Sequence, residues 1–165
     1  MIGAKAGDRV LFVGRLDPAL TGEVARTTGL NGQTLAGGRP DDRARIEAGA
    51  AAAGALVDFV DVAAGDRSPV PHGLTEIDVV VFTADLAALE LDARMEAVRD
   101  SLKALRPGGR LILIDGPSKK PLFGGGSPAM PADVVVPLLT SVGAQAARAL
   151  GVADGVTYYE ARKTR

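Results

Sequence analysis

The sequence predicts a doubly wound α/β fold: a mostly parallel seven-stranded sheet with helices on both faces, closed by a C-terminal antiparallel hairpin. Three observations carry this. Apolar runs at 10–13 (VLFV), 77–82 (IDVVVF, broken only by Asp78) and 111–114 (LILI) suit strands buried on both faces, not strands with one wet side. They alternate with stretches of helical composition and periodicity, the pattern that lays helices over a parallel sheet. Asp154-Gly155 then stands between two β-capable runs, 144–150 and 156–163, and Asp-Gly is a two-residue hairpin signal.

In chain order, the first strand is 10–13, bounded by Arg9 and Gly14. A turn follows, with Asp17 as N-cap and Pro18 at the first helical position, and a helix runs to Thr28, where Gly29 and Asn31-Gly32 end it. Residues 33–36 form a short second strand, and Gly37-Gly38-Arg39-Pro40 reads as loop. The segment 40–54 is an Ala-rich helix with Asp41 and Asp42 in its first turn, where the helix dipole favours acids. Residues 56–62 give the third strand, 65–73 a loop, and 77–82 the fourth strand.

Residues 86–105 read as one amphipathic helix. Leu91, Met95, Val98, Leu102 and Leu105 recur at alternating spacings of four and three, which puts them on one face against the sheet. Glu90 with Arg94 and Glu96 with Arg99 are acid-first pairs on the other face. Pro107-Gly108-Gly109 stops this helix before the fifth strand, 111–114. The segment 116–131, broken repeatedly by Gly and Pro, reads as a mobile loop or lid, and 132–141 as the last helix.

Composition narrows the function classes. The chain has 165 residues, about one domain, and no repeat, low-complexity tract or long linker divides it, so one domain over 1–165 is expected. A net charge of -1 offers no global field for nucleic acid or an anionic membrane. The absence of Cys excludes disulfides, thiol nucleophiles and thiolate metal sites, and the single His excludes a multi-histidine centre, so no metal is expected. With no leader-like start and no apolar run of about 18 residues, a soluble cytoplasmic protein is expected.

The order of elements, with its closing hairpin, resembles the Rossmann-like fold of class I S-adenosylmethionine-dependent methyltransferases. GDRVLFVG at 7–14 resembles the family's first strand motif, GxxVLDxGxGxG. LRPGGRLILID at 105–115 resembles the entry to its fifth strand, and Val142-Gly143 with VTYYEARK at 156–163 resembles its closing elements. The resemblance covers nearly the whole chain and implies a cofactor rim of Val13, Gly14, Arg15, Asp17, Gly38, Arg39, Ala63 and Thr83.

Three positions depart from the family pattern. Gly14 matches the first glycine of the first motif, but Phe12 stands where an acid often orients the amino group, and Leu16 and Pro18 stand where further glycines are usual. Gly38 stands where the family places an acid on the ribose hydroxyls. Ala63, flanked by Asp61 and Asp66, falls where an acid often meets the adenine amino group. Each lost hydrogen bond to a charged partner removes roughly 1.5–3 kcal/mol, about one to two powers of ten in affinity. S-adenosylmethionine binding is therefore expected to be weak or lost, unless Asp17 turns inward to replace one acid.

Only about seven residues precede the first strand, where the family commonly has a covering helix. The rim is thus expected to be open, covered by the 116–131 loop or by another chain, as in a homodimer or with a protein partner. Asp115, ending the fifth strand, and Lys119 with Lys120 are candidates for contact with a small-molecule substrate; the alternatives are a loop cap and solubilising charge. His72 is a candidate base in a solvated loop. Of Tyr158 and Tyr159, which alternate across a strand, one is expected in the core and one outside. Arg15 and Arg39, both on turns at the rim, are an alternative site for a phosphate or carboxylate.

Two functions follow: an S-adenosylmethionine-dependent methyltransferase acting on a small molecule through an atypical cofactor site, or a catalytically inactive binding or assembly module on that fold. An oxidoreductase dinucleotide fold is disfavoured, because GRLDPALTG is not GxGxxG and the acid some twenty residues on is missing.

Overall fold

The computed structural model describes residues 2–117 and 128–164. Seven strands, β1 (Arg9–Gly14), β2 (Gln33–Gly38), β3 (Asp58–Asp61), β4 (Ile77–Ala84), β5 (Leu105–Asp115), β6 (Gln145–Ala153) and β7 (Val156–Arg162), pair in the order β3-β2-β1-β4-β5-β7-β6. The first five in this order are parallel, and β7 runs antiparallel to both β5 and β6. The expected doubly wound sheet with its antiparallel edge is thus formed. The chain steps outward from β1 to β3 and then crosses back to β4, so the order reverses between β1 and β4. Ligands bind at such a switch point, beyond the carboxyl ends of the strands.

The strands are apolar on both sides because both faces are covered. On one face Val10 and Phe12 of β1, Val79 and Val81 of β4, and Ile112 and Ile114 of β5 pack with Val24 of α1 (Pro18–Thr28) and Ile46 of α2 (Arg43–Ala52). On the other, Leu11, Val13, Val80, Phe82, Leu111 and Leu113 pack with Ala97, Val98 and Leu102 of α3 (Leu91–Ala104) and Val135 and Leu139 of α4 (Ala132–Ser141). α1 and α2 touch through glycine: a Cβ on Gly22 would lie 2.5 Å from the Gly49 carbonyl oxygen, and one on Gly49 would lie 2.5 Å from that of Pro18. The Ala-rich composition of α2 permits this close approach.

Several sequence expectations are corrected. β2 continues through Gly37 and Gly38, read as loop, because both pair in parallel with Val60 and Asp61 of β3. The segment 86–105 is not one helix: a single 3-10 turn at Leu86–Ala88 precedes α3, with extended residues between. Its buried face also differs, comprising Ala97, Val98, Ser101, Leu102 and Ala104, while Leu91 is 56% exposed and Leu105 belongs to β5. The pairs Glu90–Arg94 and Glu96–Arg99 do not form; Lys103 instead meets Asp100 at 2.9 Å. Pro107-Gly108-Gly109 does not stop the helix, which already ends at Ala104 with Leu105 extended; it lies within β5 as a bulge, where the register against β4 shifts between Ile77 and Val79.

The hairpin behaves as its turn residues demand. Asp154 and Gly155 have φ of 52° and 80°, the two left-handed residues of a tight turn matched to strand twist. Tyr159 is fully buried and Tyr158 is half-buried on the opposite face. Glu160, 7% exposed, ties three strands together: it accepts from Arg148 of β6 at 2.7 Å and from Arg110 of β5 at 3.3 Å.

Burial pushes the Glu160 carboxyl up, but the hydrogen bonds and charges of Arg148 and Arg110 outweigh this and hold its pKa below the ordinary value. A carboxyl depressed in the folded state stabilises above its unfolded pKa, and that contribution is lost as pH falls through the folded value. Unfolding free energies measured from about pH 7 down to about pH 3 should therefore fall less steeply for Glu160→Gln than for the native protein. Parallel acid slopes would rule this linkage out.

Candidate functional site

At the switch point the backbones of β1 and β4 come together without side chains between them. Gly14, at φ 83°, pairs with Thr83, and the Arg15 amide donates to the Thr83 carbonyl at 2.8 Å. A Cβ on Gly14 would lie 2.3 Å from that carbonyl oxygen, so only glycine permits the contact. Above this junction opens a cavity of about 380 Å³, within the size range of small-molecule sites. Its walls come from the carboxyl ends of β1, β2 and β4, the segment after β3, and the first turns of α3.

Six of the eight sequence-predicted rim residues line this cavity: Gly14, Arg15, Gly38, Arg39, Ala63 and Thr83. The other two do not. Val13 points into the core, 1% exposed, and Asp17 is turned to cap α1, its carboxylate accepting from the Leu20 amide at 3.1 Å. Asp17 is thus already engaged and does not replace a missing acid. The side chains of Phe12 and Leu16 leave the cavity open. Both are buried in the cluster under α1 and α2, Leu16 packing close to the α-carbon of Gly38.

The remaining candidates fall elsewhere. Asp115 is fully buried, with Oδ1 accepting from the Leu86 amide at 2.8 Å and Oδ2 from the Met130 amide at 2.7 Å. It is a clamp between backbone segments, the loop-cap alternative to a substrate contact. The same Met130 donates nothing further, but its carbonyl accepts from the Tyr159 hydroxyl at 2.9 Å. Burial and the nearby Asp115 charge raise the pKa of Tyr159 and keep its hydroxyl a proton donor to that carbonyl. Lys119, Lys120 and most of the 116–131 segment lie outside the described residues. The His72 side chain is 82% exposed, 3.5 Å from Asp66, and is not among the residues lining this cavity.

The cavity also holds residues that the sequence analysis missed. Arg67, Ser68 and Pro69 enter from the segment after β3, Asp85 from the end of β4, and Leu89, Ala93 and Ala97 give an apolar wall. A signal for the first group existed: a polar stretch, GDRSP, directly follows a strand and so falls on the rim where such sheets bind ligands. Nothing in the helical periodicity marked Ala93 or Ala97, since alanine serves close packing and cavity lining alike.

Charge in the cavity is unevenly committed. Asp42 is held by Arg45 at 2.7 Å, and Asp85 caps the 3-10 turn through the Ala88 amide at 3.3 Å. Arg15 reaches across β4 and donates to the Gly116 carbonyl at 3.0 Å. Among the described residues, the guanidinium groups of Arg39 and Arg67 have no hydrogen-bond or ion-pair partner. No group of three or more metal-ligating side chains occurs among the described residues, and no described helix is long and apolar enough to cross a membrane.

No protein-family model and no curated protein matches the chain in sequence. Solved structures do. The S-adenosylmethionine-dependent methyltransferase SibL, in its apo form, matches with a TM-score of 0.73 and 18% identity over 96% of this chain and 51% of SibL. The fold is that of the class I methyltransferases. PigF, solved with SAH, shares this methyltransferase fold with a TM-score of 0.69 at 17% identity, over 94% of this chain and 56% of PigF. A TehB-like SAM-dependent methyltransferase from Corynebacterium glutamicum matches with a TM-score of 0.65 at 17% identity, over 98% of this chain and 83% of its own length. The chain thus spans about half the length of SibL and PigF.

Proposed function

We propose that this protein binds S-adenosylmethionine in the cavity at the β1–β4 switch point and transfers its methyl group to a small molecule. The observation that carries the reading is the open cavity itself, lined by Gly14 at its base and by Leu89, Ala93 and Ala97 on one wall, with neither Phe12 nor Leu16 filling it. Its volume and apolar wall fit a nucleoside. Its polar residues fit the ribose less well, because Gly38 supplies no carboxylate at the end of β2.

When bound, the cofactor supplies an electrophilic methyl group; the chain supplies positioning. Gly14 allows close approach of the ligand to backbone, Thr83 and Asp66 offer polar contacts, and the alanines of α3 exclude water from one side. Methyl transfer of this kind needs orientation of two reactants more than an acid–base pair, which suits a cavity with no nucleophile–base constellation among the described residues.

The second reading is a catalytically inactive binding or assembly module that pairs with another chain through the open rim. The missing acid at Gly38 favours it. Isothermal titration with S-adenosylmethionine and S-adenosylhomocysteine separates the two. Binding is expected with a dissociation constant about one to two powers of ten weaker than a site with the ribose acid. Absence of any heat at millimolar ligand would leave only the non-catalytic module.

A further inference from the structure

In doubly wound folds the side chain at the end of the second strand reads the ribose: an acid accepts from its hydroxyls, whereas an arginine accommodates a phosphate esterified there. Here β2 ends at Gly38 and the next residue is Arg39, which lines the cavity. Two acids close to this position are committed. Asp61, the register partner of Gly38 on β3, is gripped by both oxygens by Arg43 at 3.1 Å each, and Arg43 is itself stacked 4.8 Å above the Phe59 ring. Asp42 is held by Arg45. Arg67 lines the same cavity as Arg39, and neither guanidinium has a partner among the described residues. Three other charged groups border the cavity: Arg15, directed to the Gly116 carbonyl, Asp85, capping a turn, and Asp66, 3.5 Å from His72.

We propose that Arg39 and Arg67 form a phosphate subsite at the ribose end of this cavity, so that adenosine nucleotides phosphorylated on the 2′- or 3′-hydroxyl bind there and compete with S-adenosylmethionine. The proposal rests on the reading of the cavity as a nucleoside site. Two guanidinium groups match a phosphate with charge-assisted hydrogen bonds that a bare ribose cannot make. The loss of the acid is then an exchange of one recognition chemistry for another, and such nucleotides act as regulators of the same site.

The test is a calorimetric titration of the full chain with adenosine, its 2′-, 3′- and 5′-monophosphates, inorganic phosphate and S-adenosylhomocysteine. The 2′- or 3′-monophosphate should bind at least about tenfold more tightly than adenosine or the 5′-monophosphate, and should displace S-adenosylhomocysteine. Salt should narrow the gap, since the contacts are exposed. Arg39→Gln and Arg67→Gln should each remove most of the gap, read on each variant as the ratio of its ribose-monophosphate affinity to its own adenosine affinity; both residues are exposed, so folding is expected to survive. Asp66→Asn should sharpen the preference by removing a loosely held carboxylate that borders the same cavity.

Equal binding of adenosine and all three monophosphates would overturn the proposal, as would inorganic phosphate binding as tightly as the nucleotides. If S-adenosylhomocysteine binds and no ribose phosphate gains over adenosine, the phosphate subsite fails while the methyltransferase reading stands. If no nucleoside binds at all, both fail.

Discussion

Replacing Gly14 by alanine is expected to cost about 3–5 kcal/mol of folding free energy, more than any surface change in the chain. Part of this is backbone strain, since a side chain at φ 83° sits in the left-handed region at about 1–2 kcal/mol. The larger part is steric. The new methyl would lie 2.3 Å from the Thr83 carbonyl and 3.0 Å from the Phe82 ring, and neither is the far end of a flexible side chain. β1 and β4 must part at their carboxyl ends, breaking the bond from the Arg15 amide to Thr83. Gly7→Ala isolates the strain component, because Gly7 has φ 88° with nothing within 4 Å of its Cβ position. Urea denaturation of both variants decides the matter. If Gly14→Ala loses no more than Gly7→Ala, the close approach of the two strands is not what fixes this glycine.

Asp115→Ala is the second large effect, at about 3–4 kcal/mol. The carboxylate is fully buried and satisfies two backbone amides from segments far apart in sequence. Removing it strands two N–H donors, each at about 1–3 kcal/mol. Asp115→Asn keeps the shape and one acceptor but turns an NH2 towards one of those donors, so about 2 kcal/mol is expected. The order native, Asn, Ala should appear in denaturant midpoints at constant slope. If alanine were tolerated within about 1 kcal/mol, water would have to reach these amides, and the clamp would carry little of the rim's stability.

The strands were legible because burial on both faces writes nearly continuous apolar runs, and 10–13, 77–82 and 111–114 all lie inside observed strands. The Asp-Gly turn was legible because the geometry needs residues that tolerate positive φ. β2 was cut short in the sequence reading because glycine weakens a strand in isolation. What the reading lacked is tertiary: at Gly37 and Gly38 the side-chain positions are taken by Pro71 and by Leu16 with Phe59, and pairing with β3 holds the backbone extended. The helix over 86–105 was misjudged for a similar reason. The spacing of Leu91, Met95 and Leu105 fits one stripe, but Asp85 and Asp115 fix a separate turn at Leu86–Ala88, and Leu105 is claimed by β5.

The site shows the same division. The base of the cavity was visible in the sequence because it depends on a glycine and on strand ends, which are local. The loop cap made by Asp115 was one of two roles the sequence offered, but its partners were not visible, because they lie 29 and 15 residues away. The commitment of Asp42 to Arg45 is an i,i+3 spacing open to the sequence, whereas that of Asp61 to Arg43 depends on how α2 lies beside β3 and is written in no spacing.

The insertion of β7 between β5 and β6 bears on how the chain is made. A ribosome releases β5 well before β7, so for the intervening residues the apolar β5 presents a bare edge with unpaired amides, the surface on which chains most readily mispair. Only when residues 156–162 have emerged can that edge be sealed, and β6, which touches the sheet through β7 alone, must wait for its later neighbour. Tyr159, on that same late strand, then supplies the bond that fixes Met130 beside Asp115. The β1–β4 junction is available early in synthesis, whereas the far side of the rim acquires its final order last.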